Sequence, residues 1–484
     1  MINFFNSSVI HTNSIEKRRD FPICWDHSQT MTYSLKDLAR LLHEGTINAR
    51  GLVEDCLAAI DAPDGEGKRA FIKIYHNRAR DEADSVDLAR KQGLSLPTFA
   101  GIPLSIKDLF DEADIVTRAG SKVLEDASPA IKDATVLARL KAAGFIVIGR
   151  TNMTEFAFSG IGTNAHYGDA RSPFERDKVD IHKGRVAGGS SSGSAVSISD
   201  HMAAASIGSD TGGSTRTPAA FCGIVGFKPT TTRMSSDGVF PLSQSFDAAG
   251  PMANSVSCCA ILDSLMAGGP GEDEGPFALH GTRLAIPKGY LFEDLDPHVA
   301  QSFNVAIDQL ASAGAEIVDI TINEIEALRP SNNPKSIVAA EAYSVHKARL
   351  EDGMGDRYDP LVAFRLRSGK DILASDYINM LNMRKNVWRA VQISLRGFDA
   401  LILPTAPILP PPLSSLEDIK SKIQQSALSL RNTAVSNYLD RPTISMPCHA
   451  QGTGPVGLSL VGSRQHDRRL LAIAAACEAV ITRG

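Results

Sequence analysis

The sequence predicts an α/β fold: a single large domain over residues 31–484, with a central β-sheet flanked by helices, behind an extension over residues 1–30. Three observations predict it. Helix-period segments alternate with short apolar runs, the rhythm of a sheet covered by helices. The 484 residues are 43% hydrophobic and 22% charged, enough for a large core. Nothing divides the chain cleanly, although length alone suggests about three domains. "AGGPGEDEGP" at 267–276 and the Pro-rich "PTAPILPPPLSSLED" at 404–418 read as surface excursions, not linkers.

Residues 1–30 lack helical or strand periodicity and read as a mobile extension or an arm packing on a neighbour. Two helices follow. "YSLKDLARLLHEG" offers Ser34 as N-cap and Gly45 as stop, and "TINARGLVEDCLAAID" repeats the three-four apolar spacing behind Thr46. The α/β alternation then begins with "RAFIKIY", a polar helix near 77–92, "GIPLSI", a helix across "DATVLARLKAAG", and "FIVIG". It resumes with "RLAIP", a helix over "HVAQSFNVAIDQLASAG", the runs "EIVDITI", "DALILP", "TISMPC" and "GLSLVG", and a closing helix "DRRLLAIAAACEAVI".

Bulk properties exclude several function classes. A net charge of −5 is mild and argues for neither nucleic acid nor an anionic membrane surface as partner. The seven cysteines, Cys24, Cys56, Cys222, Cys258, Cys259, Cys448 and Cys477, are odd in number and show no CxxC spacing, so neither a disulfide framework nor a zinc site is implied, and a reducing cytoplasm is the simplest home. The N-terminal basic cluster follows a weak apolar patch, the reverse of a secretory signal, and no apolar run approaches about 18 residues. There is no HExxH, and no metal is implied.

The chemistry concentrates in two glycine-rich stretches. "GSDTGGSTRTPA" at 208–219 reads either as a polar loop or as a backbone anion site, where small residues let consecutive N–H groups face one developing negative charge. "VAGGSSSGSAVS" lies just upstream. Gly189 to Gly193 satisfies G-x-S-x-G with Ser191 at its tip, but the preceding "DKVDIHKGRVA" is no buried strand, as a nucleophile elbow requires. Neither cluster has the Lys-Ser/Thr of a phosphate loop, and Gly160-x-Gly162-x-x-Ala165 matches a dinucleotide fingerprint weakly. A serine without a histidine can still be activated by a lysine that burial keeps neutral. Lys107, in "FAGIPLSIKDLFD", follows an apolar strand and offers this; a surface lysine paired with Asp108 or Asp111 is the other reading.

Together "GIPLSIKDLF", "GGSSSGSAVS" and "GSDTGGSTRTPAAFCGIVGFKPT" resemble the amidase signature family of serine hydrolases. Two serines of that family stand 24 residues apart, and 214 − 190 = 24 here. "GRTNMTEFAFSG", "FDAAGPM", "LPTAP" and "PVGLSLVG" extend the resemblance over roughly residues 35 to 482. It implies a mixed central sheet and a triad of Lys107 as neutral base, Ser190 as relay on an unusual cis peptide bond, and Ser214 as nucleophile. It further implies an oxyanion held by the backbone N–H groups of Thr211, Gly212, Gly213 and Ser214, an acyl-enzyme, a small-molecule amide substrate and no cofactor. Asp210 and Arg216 flank the nucleophile and read as a loop-fixing pair in preference to substrate contacts, and Cys222 as a small core residue.

Departures from the family pattern are Leu109, Ala187, Ser192 and the added residues between Arg171 and Arg185. The family also contains the glutaminase subunit of tRNA-dependent amidotransferases. There an Asp that grips the glutamine amino group lies seven residues before the Asn of a T-x-x-x-N pattern; here that pattern is Thr433 to Asn437, and 437 − 7 = 430 is Leu430. Loss of that charge penalises glutamine. "YDPLVAFRLRSGKDILASDYINMLNMRKNVWRA" likewise resembles stand-alone amidases, so a free-standing amide hydrolase is expected, and the alternative is the glutaminase subunit. Residues Met153 to Tyr167 and Phe240 to Phe246 are expected around the acyl group, with Phe156 and Phe158 either in the pocket or in the core. The N-terminal extension is compatible with a homodimer.

Overall fold

Eleven strands join into one sheet in the computed structural model, which describes residues 31–177, 184–275, 277–329 and 336–481. The proposed extension over 1–30, with Cys24, and the middle of the 171–185 insertion lie outside the described residues. The strands are β1 (Phe71–Ile74), β2 (Pro103–Lys107), β3 (Ile146–Thr151), β4 (Ala205–Asp210), β5 (Val225–Lys228), β6 (Ala248–Ala253), β7 (Arg283–Lys288), β8 (Glu316–Thr321), β9 (Ala400–Pro404), β10 (Thr443–Pro447) and β11 (Gly457–Val461). Their order across the sheet is β1-β3-β2-β4-β6-β5-β10-β11-β9-β7-β8. The sheet is mixed: β2 runs parallel to β3 and β4, and β7 to β8 and β9, while the central pairs from β4 through β11 to β9 are antiparallel.

Helices cover the sheet, so its inner strands are buried on both faces. Every residue of β2, β3, β4 and β6 is buried, whereas the edge strand β8 alternates exposed Glu316, Asp319 and Thr321 with half-buried aliphatics. Charges on that edge discourage pairing with another sheet. The N-terminal helix Leu35–His43 starts behind Ser34, whose hydroxyl accepts from the Asp37 amide at 3.1 Å. The next, Ala49–Asp61, is capped by Asn48 and not begun behind Thr46, because the Asn48 side chain reaches the Gly51 amide at 2.6 Å.

Strands β4, β5 and β6 were not foreseen. Two of them, "ASIGSD" and "AAGPMA", are rich in small residues that have little strand preference, and "VGFK" is only four residues long. A small residue here has a structural use: a Cβ on Gly226 in β5 would lie 2.4 Å from the Thr215 carbonyl oxygen, so only glycine lets the 211–215 loop lie this close to the sheet.

Candidate active site

Parallel register brings the chemistry to one end of the sheet. Ile106 of β2 pairs with Ile207 of β4, so the C-terminal ends of both strands, Lys107 and Ser209–Asp210, emerge together. Ligand sites of open α/β sheets form at such carboxyl ends.

Lys107 is fully buried. Its Nζ donates to Ser190 Oγ at 2.7 Å and to Ser209 Oγ at 2.9 Å. Burial penalises the ammonium and pushes its pKa down from 10.5 to about 7, against the opposing pull of the Asp210 and Asp247 carboxylates. The surface reading of Lys107 is thereby corrected: Asp108 pairs instead with Arg150, at 2.7 Å.

The Gly189–Ser190 peptide bond is cis. Neighbouring backbone fixes it: Thr154 N–H donates to the Ser190 carbonyl at 3.1 Å, and Gly189 N–H to the Gly160 carbonyl at 2.9 Å. The next amide, that of Ser191, donates to the Ser214 carbonyl at 3.2 Å, which sets Ser214 beside the same turn. Ser191 itself opens the helix Ser192–Ser199, with its hydroxyl on the Ser209 carbonyl at 3.3 Å. Upstream, Val186 makes only an isolated bridge to Arg171, which is not the strand a nucleophile elbow needs.

Asp210 organises the loop of Ser214. Its carboxylate accepts from the Gly213 amide at 2.9 Å, the Thr215 amide at 3.1 Å and Asn437 Nδ2 at 2.8 Å. Arg216 grips it bidentately, Nε at 3.0 Å and Nη2 at 2.9 Å, and also donates to Ser436 Oγ and Asn437 Oδ1, each at 2.6 Å. Burial works against the charged carboxyl, yet the Arg216 guanidinium holds its pKa well below the usual range. Of the four amides expected around an oxyanion, that of Gly213 is therefore engaged inside the loop. Gly213 has φ +136°, and a Cβ there would meet Thr433 Oγ1 at 2.1 Å.

The chain matches the Amidase family over residues 51–471. It belongs to the amidase family. Among its relatives, 2-amino-5-chloromuconic acid deaminase of Comamonas testosteroni is 32% identical over 93% of this chain and 96% of its own length. AtzE, which is part of the 1-carboxybiuret hydrolase of a Pseudomonas species, is 35% identical over 77% of this chain and 81% of its own. The A subunit of the glutamyl-tRNA(Gln) amidotransferase of Chromohalobacter salexigens is 30% identical over 93% and 96%. A crystal structure of an amidase superposes with TM-score 0.81 at 30% identity, covering 93% of this chain and all 100% of that one. The chain is thus an amide hydrolase acting on carbon–nitrogen bonds other than peptide bonds.

Four further residues of this amidase shape the site. Ser209 hydrogen-bonds Lys107, and Asp247, half-buried in "FDAAGPM", accepts from Thr211 Oγ1 at 2.5 Å and from the Leu242 and Ser243 amides at 2.8 and 2.9 Å. Burial pushes the Asp247 pKa up to about 6. Arg384 lies 3.7 Å from the Phe246 ring and donates to the carbonyls of Ser245, Asn437 and Tyr438, each at 2.8 Å, joining the 242–247 loop to the end of helix Thr433–Tyr438. Glu341 accepts from Ser243 Oγ at 2.5 Å. Ser209, Asp247 and Arg384 lie in quoted stretches, but no motif singled them out, and Glu341 lies in none.

Phe156 belongs to the core, ring-packed on Phe240, His346 and Tyr358 at 5.3, 4.3 and 5.4 Å. Cys222 is buried with its thiol on the Ala187 carbonyl at 3.5 Å, and burial pushes its pKa up, away from a reactive thiolate. Among the described residues six cysteines are free and no helix is long and apolar enough to cross a membrane. A groove of about 770 Å³ between helix Leu35–His43 and residues 94–99 shares none of these residues.

Proposed function

We propose that the chain is a free-standing amidase in which Lys107, Ser190 and Ser214 form the catalytic relay. The observation that carries this is the 2.7 Å contact between Lys107 Nζ and Ser190 Oγ at a fully buried amine whose pKa is lowered to about 7. A hydroxyl hydrogen rotates freely, so the same contact serves with Ser190 as donor once the amine is neutral.

Ser214 Oγ attacks the amide carbonyl, its proton passes to Ser190, and the Ser190 proton passes to Lys107. The amides of Thr211, Gly212 and Ser214 hold the resulting oxyanion. The relay then returns one proton to the departing nitrogen, the C–N bond breaks, and ammonia or an amine leaves an acyl ester on Ser214. Water, deprotonated through the same relay, attacks that ester and releases the carboxylic acid. Asp210 and Arg216 act as positioning residues that hold the nucleophile loop.

The alternative, a glutaminase subunit of a tRNA-dependent amidotransferase, draws on the 30% identical relative of that name. Against it stands Leu430, whose Cδ1 lies 3.9 Å from where a Gly212 Cβ would project, so an apolar group occupies the place where an ammonium would need a carboxylate. We place the amidase in the cytoplasm, acting on small molecules with no nucleic acid, membrane or cofactor, and its extension leaves room for a homodimer. Mass-spectrometric product release from aliphatic, aryl and urea-like amides and glutamine, with Ser214→Ala as control, tests the reading. Ser214-dependent turnover without partner subunits is expected, with glutamine poorest. Activity on glutamine alone, and only with added subunits, would establish the alternative.

The pH profile is a second check. Lys107 acts only when neutral, so log kcat/KM should fall with unit slope below about pH 7 and level off above it. Asp247 is one of the two carboxylates holding that pKa up, so Asp247→Asn should move the inflection to lower pH. A flat profile between about pH 5 and 8 contradicts the neutral-amine base.

A further inference from the structure

Thr211 sits between two anchored neighbours and carries one of the three amides proposed to hold the oxyanion. Asp210, before it, pairs with Ala248 across the sheet, and the Gly212 carbonyl, after it, accepts from Thr433 Oγ1 at 2.8 Å. Among the described residues no protein oxygen accepts from the amide of Thr211, Gly212 or Ser214, whereas that of Gly213 turns back to Asp210. What ties Thr211 itself is its side chain: Oγ1 donates to Asp247 Oδ1 at 2.5 Å, the length of a charge-assisted bond. Register makes this pairing. β6 begins at Ala248, opposite Asp210, the last residue of β4, so the next residues outward, Thr211 and Asp247, face each other.

Charge alone would not put a carboxylate there. A negative group beside a developing oxyanion opposes it, where a preorganised site supplies donors. The hydrogen bonds explain the choice: Asp247 Oδ2 accepts from the Leu242 and Ser243 amides while Oδ1 accepts from Thr211, so both oxygens serve as acceptors. The 242–247 loop that supplies those amides is held in turn from outside. Glu341 accepts from the Ser243 hydroxyl and from the Ser245 amide and hydroxyl, Tyr377 donates to Glu341 at 2.7 Å, and Arg384 holds the Ser245 carbonyl. A chain of hydrogen bonds thus runs from the helices Ile337–Glu351 and Ala374–Ser394 through Asp247 to Thr211.

We infer that Asp247 is a positioning residue: through the Thr211 hydroxyl it aims the Thr211 amide at the oxyanion, and the 242–247 loop thereby sets how firmly the tetrahedral intermediate is held. This rests on the reading of Ser214 as nucleophile. An interaction that strengthens only as charge develops on the substrate oxygen acts on kcat and leaves KM nearly as it is.

The test uses the full chain, with 4-nitroacetanilide as substrate and phenylboronic acid as inhibitor, at a pH above the Lys107 inflection so that protonation of the amine plays no part. Phenylboronic acid closes on a serine oxygen to an anionic tetrahedral adduct, the boron taking an oxygen lone pair and the serine proton passing to the relay. Thr211→Val keeps the amide and the shape of the side chain and deletes the hydroxyl. It should lower kcat by about 10²-fold with KM changed by less than about threefold, and weaken phenylboronic acid by a factor similar to that in kcat. Asp247→Ala should do the same, and the double variant no more than the worse single one, because both act through one hydrogen bond. Thr211→Ser restores the donor, and Asp247→Asn can keep both amides on Oδ1 while Nδ2 donates to the Thr211 oxygen, so each should recover most of the loss. A loss carried by KM, or losses that multiply in the double variant, would overturn the inference. An Asp247→Asn as poor as Asp247→Ala would overturn it too, since the charge and not the anchor would then be acting. Thr211→Val leaves no amide without its acceptor, so it decides the case if Asp247→Ala does not fold. Inhibition that is lost in Ser214→Ala yet indifferent to Thr211→Val would sink the inference alone. Inhibition that survives Ser214→Ala would sink the reading of Ser214, and the inference with it.

Discussion

Ser214→Ala and Lys107→Ala are each expected to lower kcat by about 10⁴- to 10⁶-fold, and the double variant to lose no more than the worse single one. The reason is the serial path of one proton. Ser214 becomes a nucleophile only if Ser190 takes its proton, and Ser190 can do so only while passing its own to Lys107, 2.7 Å away. Once either end is missing, the other contributes nothing further, so the losses do not add. Lys107→Arg should fail as badly as Lys107→Ala, because a guanidinium keeps its proton at any working pH. That separates a base from a mere positive charge. Single-turnover assays of a chromogenic anilide, with intact-mass detection of the acylated chain, make the measurement. Two single losses that multiply in the double variant, or an active Lys107→Arg, would mean that Lys107 and Ser214 act independently.

How legible this was depends on what kind of residue carried each feature. The outer and C-terminal strands are short runs of Val, Ile, Leu and Phe between turn residues, and "FIVIG" or "DALILP" announce themselves. The strands beside Lys107 and Ser214 do not: β4 and β6 are mostly Ala, Gly and Ser, and β5 is four residues long with Gly226 where the 211–215 loop approaches. The positions of Lys107, Ser190 and Ser214 were readable from motifs. The contact of Lys107 with Ser209 was not, because it depends on the register of β2 against β4. Likewise the Thr433 to Asn437 pattern was visible, but that Asn437 bonds Arg216, 437 − 216 = 221 residues away, is a fact of folding alone. The Gly213 amide shows the same limit from another side. A sequence shows that a glycine can bring its N–H close to a substrate; it does not show that this N–H turns back to Asp210.

Arg216→Ala is expected to lower the free energy of unfolding by about 3–5 kcal/mol, the cost of leaving a buried carboxylate without its cation. Asp210 is fully buried and takes two hydrogen bonds from Arg216, so no water can replace them cheaply. Its pKa is held below the unfolded value, so the stability it contributes is complete at neutral pH and is lost only as pH falls below about 4. Urea unfolding at neutral pH should therefore show the whole effect. The double variant Asp210→Leu, Arg216→Met removes both charges and should recover much of the stability. Activity should not recover with it. The Asp210 carboxylate also receives the Gly213 and Thr215 amides, on either side of Ser214, and a leucine can accept neither. A double variant that regained stability and turnover together would show that the pair serves the fold alone, and that the nucleophile loop holds its shape without Asp210.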